Sequence, residues 1–228
     1  GVASLTAALL RKGTKARSAD QFSSDIDFIG GSFNAGASLD STALSAEFMK
    51  KDVAKGLELV GDVLMQPTFP PDELTKIVKQ RIDGIKAAKD RAQGVIGTYF
   101  NGYLYGKHPY GRPTGGDESS LAAITRDDVA RFYDTSYTPV GTVMAVVGDF
   151  ATADMEAALT TLFGAWPAKT APAVVVAAAT PVQGKKLLLV DKPDSTQTYF
   201  RIGNIGIARS NPDRVIIEIV NTLFGGRF

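Results

Sequence analysis

The chain has 228 residues, of which 44% are hydrophobic and 21% charged, so it carries apolar material for one large or two small cores and falls outside the disordered class. Lysine and arginine total 25 against 24 for aspartate and glutamate, with no long run of one sign. That balance gives no electrostatic footprint for nucleic acid or an anionic membrane and points to protein or peptide partners. Cysteine is absent, which excludes thiolate metal sites, a cysteine nucleophile and a disulfide framework while leaving the compartment open.

In chain order, Val2, Leu5, Leu9 and Leu10 recur at three- and four-residue spacing and predict a short buried helix that stops at Lys12-Gly13-Thr14. Ser18 caps a second helix with Phe22, Ile26 and Ile29 on one face. Residues 31–49 then alternate small and β-prone side chains (Phe33, Ala35, Ala37, Leu39, then Thr42, Leu44, Ala46, Phe48), which predicts an antiparallel strand pair turning at Leu39-Asp40-Ser41. Helices are expected over 52–65, 71–88 and 92–105, the second opening on the favourable start Pro71-Asp72-Glu73. A helix over 126–137, a strand over 142–147 and a helix over 152–163 follow.

Residues 167–182 are simple in composition, rich in Ala, Val and Pro, and read as a linker. The apolar run over 171–181 within them is shorter than the ~18 to 20 residues of a membrane span and contains Pro172. Beyond it, strands over 186–190 and 197–203 and a helix over 212–223 begin a new unit. This order of elements predicts an α+β fold, an antiparallel or mixed sheet covered by helices on one side. The expected organisation is a first half-domain over 1–166, the linker over 167–182, and the beginning of a second half-domain over 183–228. The chain opens on Gly1 without a starting Met and closes in mid-motif on Gly225-Gly226-Arg227-Phe228, so it is read as an excerpt of a longer protein whose N-terminal strands lie outside it.

A series of segments carries a family resemblance. The opening GVASLTAALLRKGT is followed by Gly30-Gly31-Ser32-Phe33-Asn34-Ala35, with Asp40 and Thr42 beyond. Then come His108-Pro109-Tyr110-Gly111-Arg112-Pro113 with Gly115-Gly116, Gly148-Asp149-Phe150, Asp191-Lys192-Pro193, Ser195-Thr196-Gln197-Thr198, and Asn221-Thr222-Leu223-Phe224-Gly225-Gly226. Each is weak alone; in this order and spacing they make the chain similar to the insulinase/pitrilysin-type (inverzincin) zinc peptidases over nearly its whole length. The active family needs HxxEH on a helix, two His four residues apart binding zinc and a Glu between them activating water. By resemblance these positions fall on Ser4, Ala7 and Ala8, the third ligand falls on Gly84, and the accompanying acidic residue falls on Ile77.

The resemblance therefore implies a member with no catalytic residues and no metal ligands of its own. It implies no cofactor in this chain, with zinc expected in an active partner. The single histidine, His108, sits in a different motif and reads as a turn residue before Pro109. Asp25, Asp27 and Asp83 read as solvated-face carboxylates, and the glycine pairs as turns without a phosphate-binding pattern. In active relatives an edge strand pairs with extended substrate through main-chain hydrogen bonds, which places candidate substrate-binding residues at Asn34, Ala35, Gly36 and Ala37. A well-packed strand with no substrate role is the equal alternative.

The expected function is that of a partner subunit pairing with an active HxxEH subunit of the same family, closing the chamber and binding peptide or unfolded protein. Members of that type contribute an Arg and a Tyr from the second half, beyond Phe228 here. The alternatives are a scaffold like the core proteins of the respiratory chain and a working zinc protease with displaced ligands. Neither nucleic acid nor a membrane span is expected, and family habit places the protein in the periplasm, with the cytoplasm as the other choice.

Overall fold

A computed structural model describes residues 1–170, 174–193 and 195–225. Two short helices open the chain, α1 (Val2–Leu9), continued by a 3-10 turn over Leu10–Lys12, and α2 (Ala19–Phe28). The second begins where expected, because Ser18 accepts from the Gln21 amide while the Gln21 side chain reaches back to the Ser18 amide, a reciprocal cap that satisfies two orphan donors. Then β1 (Ser32–Ala37) and β2 (Thr42–Glu47) pair antiparallel, Phe33 opposite Ala46 and Ala37 opposite Thr42. Three longer helices follow, α3 (Val53–Met65), α4 (Pro71–Lys89) and α5 (Ala92–Tyr105). α4 starts on Pro71, carries Asp72 and Glu73 in its first turn and Lys86 and Lys89 in its last, all in accord with the helix dipole.

Next come α6 (Glu118–Ala123), α7 (Arg126–Ser136), α8 (Thr152–Phe163) and, after a long irregular stretch, α9 (Arg214–Gly225). α6 is not among the expected helices; its signal is the cap Asp117-x-x-Ser120 ahead of the buried Leu121. The Ser120 amide, then the Ser119 and Ser120 hydroxyls, hold the Asp117 carboxyl down at about 2, below its ordinary 3.8. Since the folded value is the lower one, the cap's contribution is complete above about pH 4 and fades as pH falls through about 2. Asp117→Ala is expected to cost about 1 kcal/mol at neutral pH, measured by thermal melts, and less in strong acid.

A main core holds α1–α4, the strand pair, α6 and α7 together. Leu5, Leu9 and Leu10 from the first helix and turn, Phe22 and Ile26 from α2, Phe33 from β1, Leu59 and Val63 from α3, Leu74 from α4, Leu121 from α6 and Val129 from α7 are buried against one another. Phe22 and Phe33 meet edge to face at 5.3 Å. At its margin lies an ionic hub. Arg17 reaches Asp25 at 2.9 Å and Asp62 at 2.8 Å and also pairs with Glu58, while Thr14 donates to Asp62 at 2.7 Å. Asp62 is only 7% exposed, so this cluster ties α2 and α3 to the loop between α1 and α2.

The expected strand over 142–147 does not form, and neither do those over 186–190 and 197–203. The alternation is there, but a strand exists only where a neighbour completes its ladder. Among the described residues none does, and Val143 and Val147 stand 92% and 96% exposed. The sheet is accordingly two-stranded among the described residues, smaller than the mixed sheet expected, while the α+β class stands. The stretch after α8 leans on α5 instead: Tyr103 donates to the Leu187 carbonyl at 3.2 Å, and Gly203 lies against the Phe100 ring. Of the expected linker, 167–170 and 174–182 carry no regular structure, and residues 171–173 lie outside the described residues, as do Asp194 and the Gly226-Arg227-Phe228 end of the closing motif. Among the described residues no helix is long and apolar enough to cross a membrane.

Candidate functional site

The face where the resemblance places metal ligands is built by α1 and α4. Small and apolar residues over Val2–Leu9 make α1 a helix that packs tightly on its neighbours, and its inner side, Leu5, Thr6, Ala7 and Leu9, is buried. Ser4 and Ala8, four residues apart, share the other side and are half-buried. On α4, Ile77, Arg81 and Gly84 fall on a common face by the same spacing. Ile77 packs against the core, and around Gly84 there is open space where a side chain would stand.

The side chains at the four ligand and base positions thus offer one hydroxyl, two methyl groups and a glycine. A catalytic zinc site is made from three imidazole or carboxylate ligands and an open position, and this donor set supplies none of them. Asp83, beside Gly84, is exposed and paired with Lys79 at 3.4 Å. Among the described residues no group of three or more His, Cys, Asp or Glu stands in a metal-holding arrangement.

What does occupy this face is Arg81, a residue outside the expected site. Its guanidinium donates to Ser4 Oγ at 3.0 Å and to the Ser4 carbonyl at 3.0 Å, crossing from α4 to the first ligand position on α1. Burial lowers its pKa, and among the described residues it has no carboxylate partner. The sequence signal for it was a lone cation one turn before Gly84, on the same face.

The candidate strand β1 also neighbours α1, which packs against both β1 and α4. Phe33 is buried and Ala35 packs inward, whereas Asn34 and Gly36 face out, and nothing lies within 4 Å of where a Gly36 side chain would begin. Asn34, Ala35, Gly36 and Ala37 are paired on one side with Ser45, Leu44, Ala43 and Thr42, and among the described residues no strand pairs with the other side. The hairpin turn is closed by Ser38 and Ser41 and braced where Tyr110 Oη donates to Asp40 at 2.9 Å.

His108 lies in that brace. Its Nδ1 accepts from the Tyr110 amide at 3.1 Å, which leaves Nε2 to donate to the Ala177 carbonyl at 2.9 Å. It is a turn residue at the end of α5, as read. Asp25 departs from the expected solvated role: it is held by Arg17 and, at 3.1 Å, by Lys55, and the Arg17 hydrogen bond followed by that of Lys55 lowers its pKa.

The model of the insulinase family (peptidase family M16) matches residues 1–118, and that of the peptidase M16 inactive domain matches residues 123–228. An uncharacterized zinc protease of Mycobacterium leprae is 28% identical over 227 residues, 99% of this chain and 51% of its own length. One of Bacillus subtilis is 25% identical over 221 residues, 94% of this chain and 51% of its own. The chain therefore spans about half the length of these curated relatives. Among solved structures, a peptidase M16 inactive domain from Pseudomonas fluorescens superposes with a TM-score of 0.74 at 28% identity, over 79% of this chain and 44% of that one. A protease from Helicobacter pylori shares the fold at a TM-score of 0.70 and 22% identity, over 77% of this chain and 43% of its own. With both family models matched in order along the chain, this protein belongs to the insulinase (peptidase M16) family.

Proposed function

We propose that this protein is a non-catalytic homologue of the family's zinc peptidases, working as the partner subunit of an active, zinc-carrying HxxEH subunit. It closes the chamber and presents β1 to extended peptide or unfolded protein. The observation that carries the reading is Arg81 on Ser4: the face that holds a divalent cation in an active member here holds a fixed positive charge and no ligand. A cation site with that neighbour is disfavoured by like-charge repulsion in a partly desolvated setting. Zinc is accordingly assigned to the partner and to no site in this chain.

The test is reconstitution. The full chain alone is expected to show no metal-dependent proteolysis, and mixing it with an HxxEH subunit of the same family is expected to produce it. Chelator-sensitive proteolysis by the lone chain would overturn the proposal. Periplasmic placement belongs to the same reading and is checked by cell fractionation.

Peptide capture by β1 needs only main-chain donors and acceptors along the edge that pairs with no strand among the described residues. An extended neutral peptide is therefore expected to lose at least about 10-fold in affinity when alternate residues are N-methylated on the bonding edge, since each methyl removes a donor. Equal binding of the methylated peptide, followed by fluorescence anisotropy, would remove the strand from the account.

A second reading has behind it the description of the similar Mycobacterium leprae and Bacillus subtilis proteins as zinc proteases. A working enzyme with displaced ligands predicts about one zinc per chain by metal analysis after purification without chelators. The present proposal predicts far less than that.

A further inference from the structure

Arg81 is out of keeping with its surroundings. An arginine at a half-buried helix interface is ordinarily matched by a carboxylate, since its charge is expensive to desolvate. Here burial lowers the group's pKa, and the hydrogen bonds it makes go to a neutral hydroxyl and a carbonyl of Ser4. The guanidinium has five N–H donors in a planar fork, so those bonds leave donors to spare. The neighbours on the same face are small: Ala8 on α1 and, three residues along α4, Gly84 with open space above it.

We infer that Arg81, oriented by Ser4, is a carboxylate-binding site on the face built by α1 and α4. The ligand is an extended peptide bearing a carboxylate, supplied by its C-terminus or by an acidic side chain. The inference rests on the peptide-capture reading above for the nature of the ligand, while the site itself rests on the unmatched guanidinium. Ser4 holds the fork from one side, the open space at Gly84 gives a carboxylate room to approach, and a guanidinium fork can accept it through two parallel hydrogen bonds. The same cation that obstructs a metal on this face thereby becomes the means of selecting one class of peptide.

Three fluorescent peptides of one neutral extended sequence separate the possibilities: a free C-terminal acid, its C-terminal amide, and an amide carrying one internal Glu. Their affinities for the full chain are measured by anisotropy at low ionic strength, with Arg81→Gln and Arg81→Lys chains of unchanged circular dichroism alongside. A carboxylate-bearing peptide is expected to bind about 10- to 100-fold more tightly than the neutral amide, the range of one charge-assisted pair. Which of the two gains identifies the source of the carboxylate. Arg81→Gln is expected to bring it down to the amide's level without changing the amide, and Arg81→Lys to keep part of the difference. Equal affinities for acid and amide, or a preference that survives Arg81→Gln, overturn the inference while peptide capture stands.

A strand-free probe tests the site separately. Arg81 is modified by phenylglyoxal and followed by mass spectrometry, with N-acetylglycine or its amide as protectant. Protection by the acid alone supports the carboxylate site even if no peptide binds β1, in which case it is peptide capture that falls. Absence of protection by the acid overturns the site.

Discussion

Replacing Arg17 with alanine is expected to destabilise the fold by about 3 kcal/mol and to lower Tm by roughly 6–12 °C in a chain of this size. The loss comes chiefly from Asp62, which is 7% exposed and keeps only the Thr14 hydroxyl when the guanidinium is gone. Asp25 and Glu58 are more open to solvent, and their pairs with Arg17 contribute little at neutral pH. They do set the response to acid. The Arg17 hydrogen bond is the largest cause lowering each of their pKa values from 3.8 and 4.5, so both carboxyls are charged more readily folded than unfolded. Their stabilising contribution is therefore complete above about pH 4.5 and is lost as pH falls through the lowered values. In Arg17→Ala that part of the acid slope should disappear. Denaturant melts from pH 7 to pH 3 read both effects, and an unchanged midpoint at pH 7 would show that α2 and α3 are held without the hub.

The elements that were legible from sequence are those whose determinants are local. The Ser18 cap, the Pro71 start and the spacing of Leu5, Leu9, Phe22 and Ile26 each act within a few residues, and the structure realises them nearly where read. The strand pair over residues 32–47 was legible for the related reason that its two strands supply each other's ladder. The three later strands failed because alternation says which faces a strand would have and nothing about whether a neighbour exists. With no neighbour among the described residues, Val143, Leu187 and Ile202 stay in solvent. The candidate site divides along the same line. Ser4, Ala7, Ala8 and Gly84 were found by aligning motifs, whereas Arg81 was missed because its meaning lies in a hydrogen bond to a residue 77 positions earlier.

That hydrogen bond gives the second prediction. A chain carrying Ser4→His, Ala8→His and Gly84→Glu has the three ligands of an active member, placed four residues apart on α1 and across the gap on α4. With Arg81 retained it is nonetheless expected to bind zinc poorly. The guanidinium that now reaches Ser4 lies against the first ligand position, competes with the metal for that space and repels it. Adding Arg81→Leu is expected to raise zinc affinity by about 10- to 100-fold, the scale on which groups surrounding a metal's ligands act. Competition with a zinc-responsive dye measures both variants, and equal affinities would show that Arg81 is no obstacle to a cation. Hydrolysis should not follow from metal alone. The base position is Ala7, 0% exposed and on the buried side of α1, so Ala7→Glu adds a carboxylate to a packed interior at a cost in stability. On the non-catalytic reading proposed above, catalysis in this chain would require Arg81 to leave, three ligands to arrive and the packing under α1 to open.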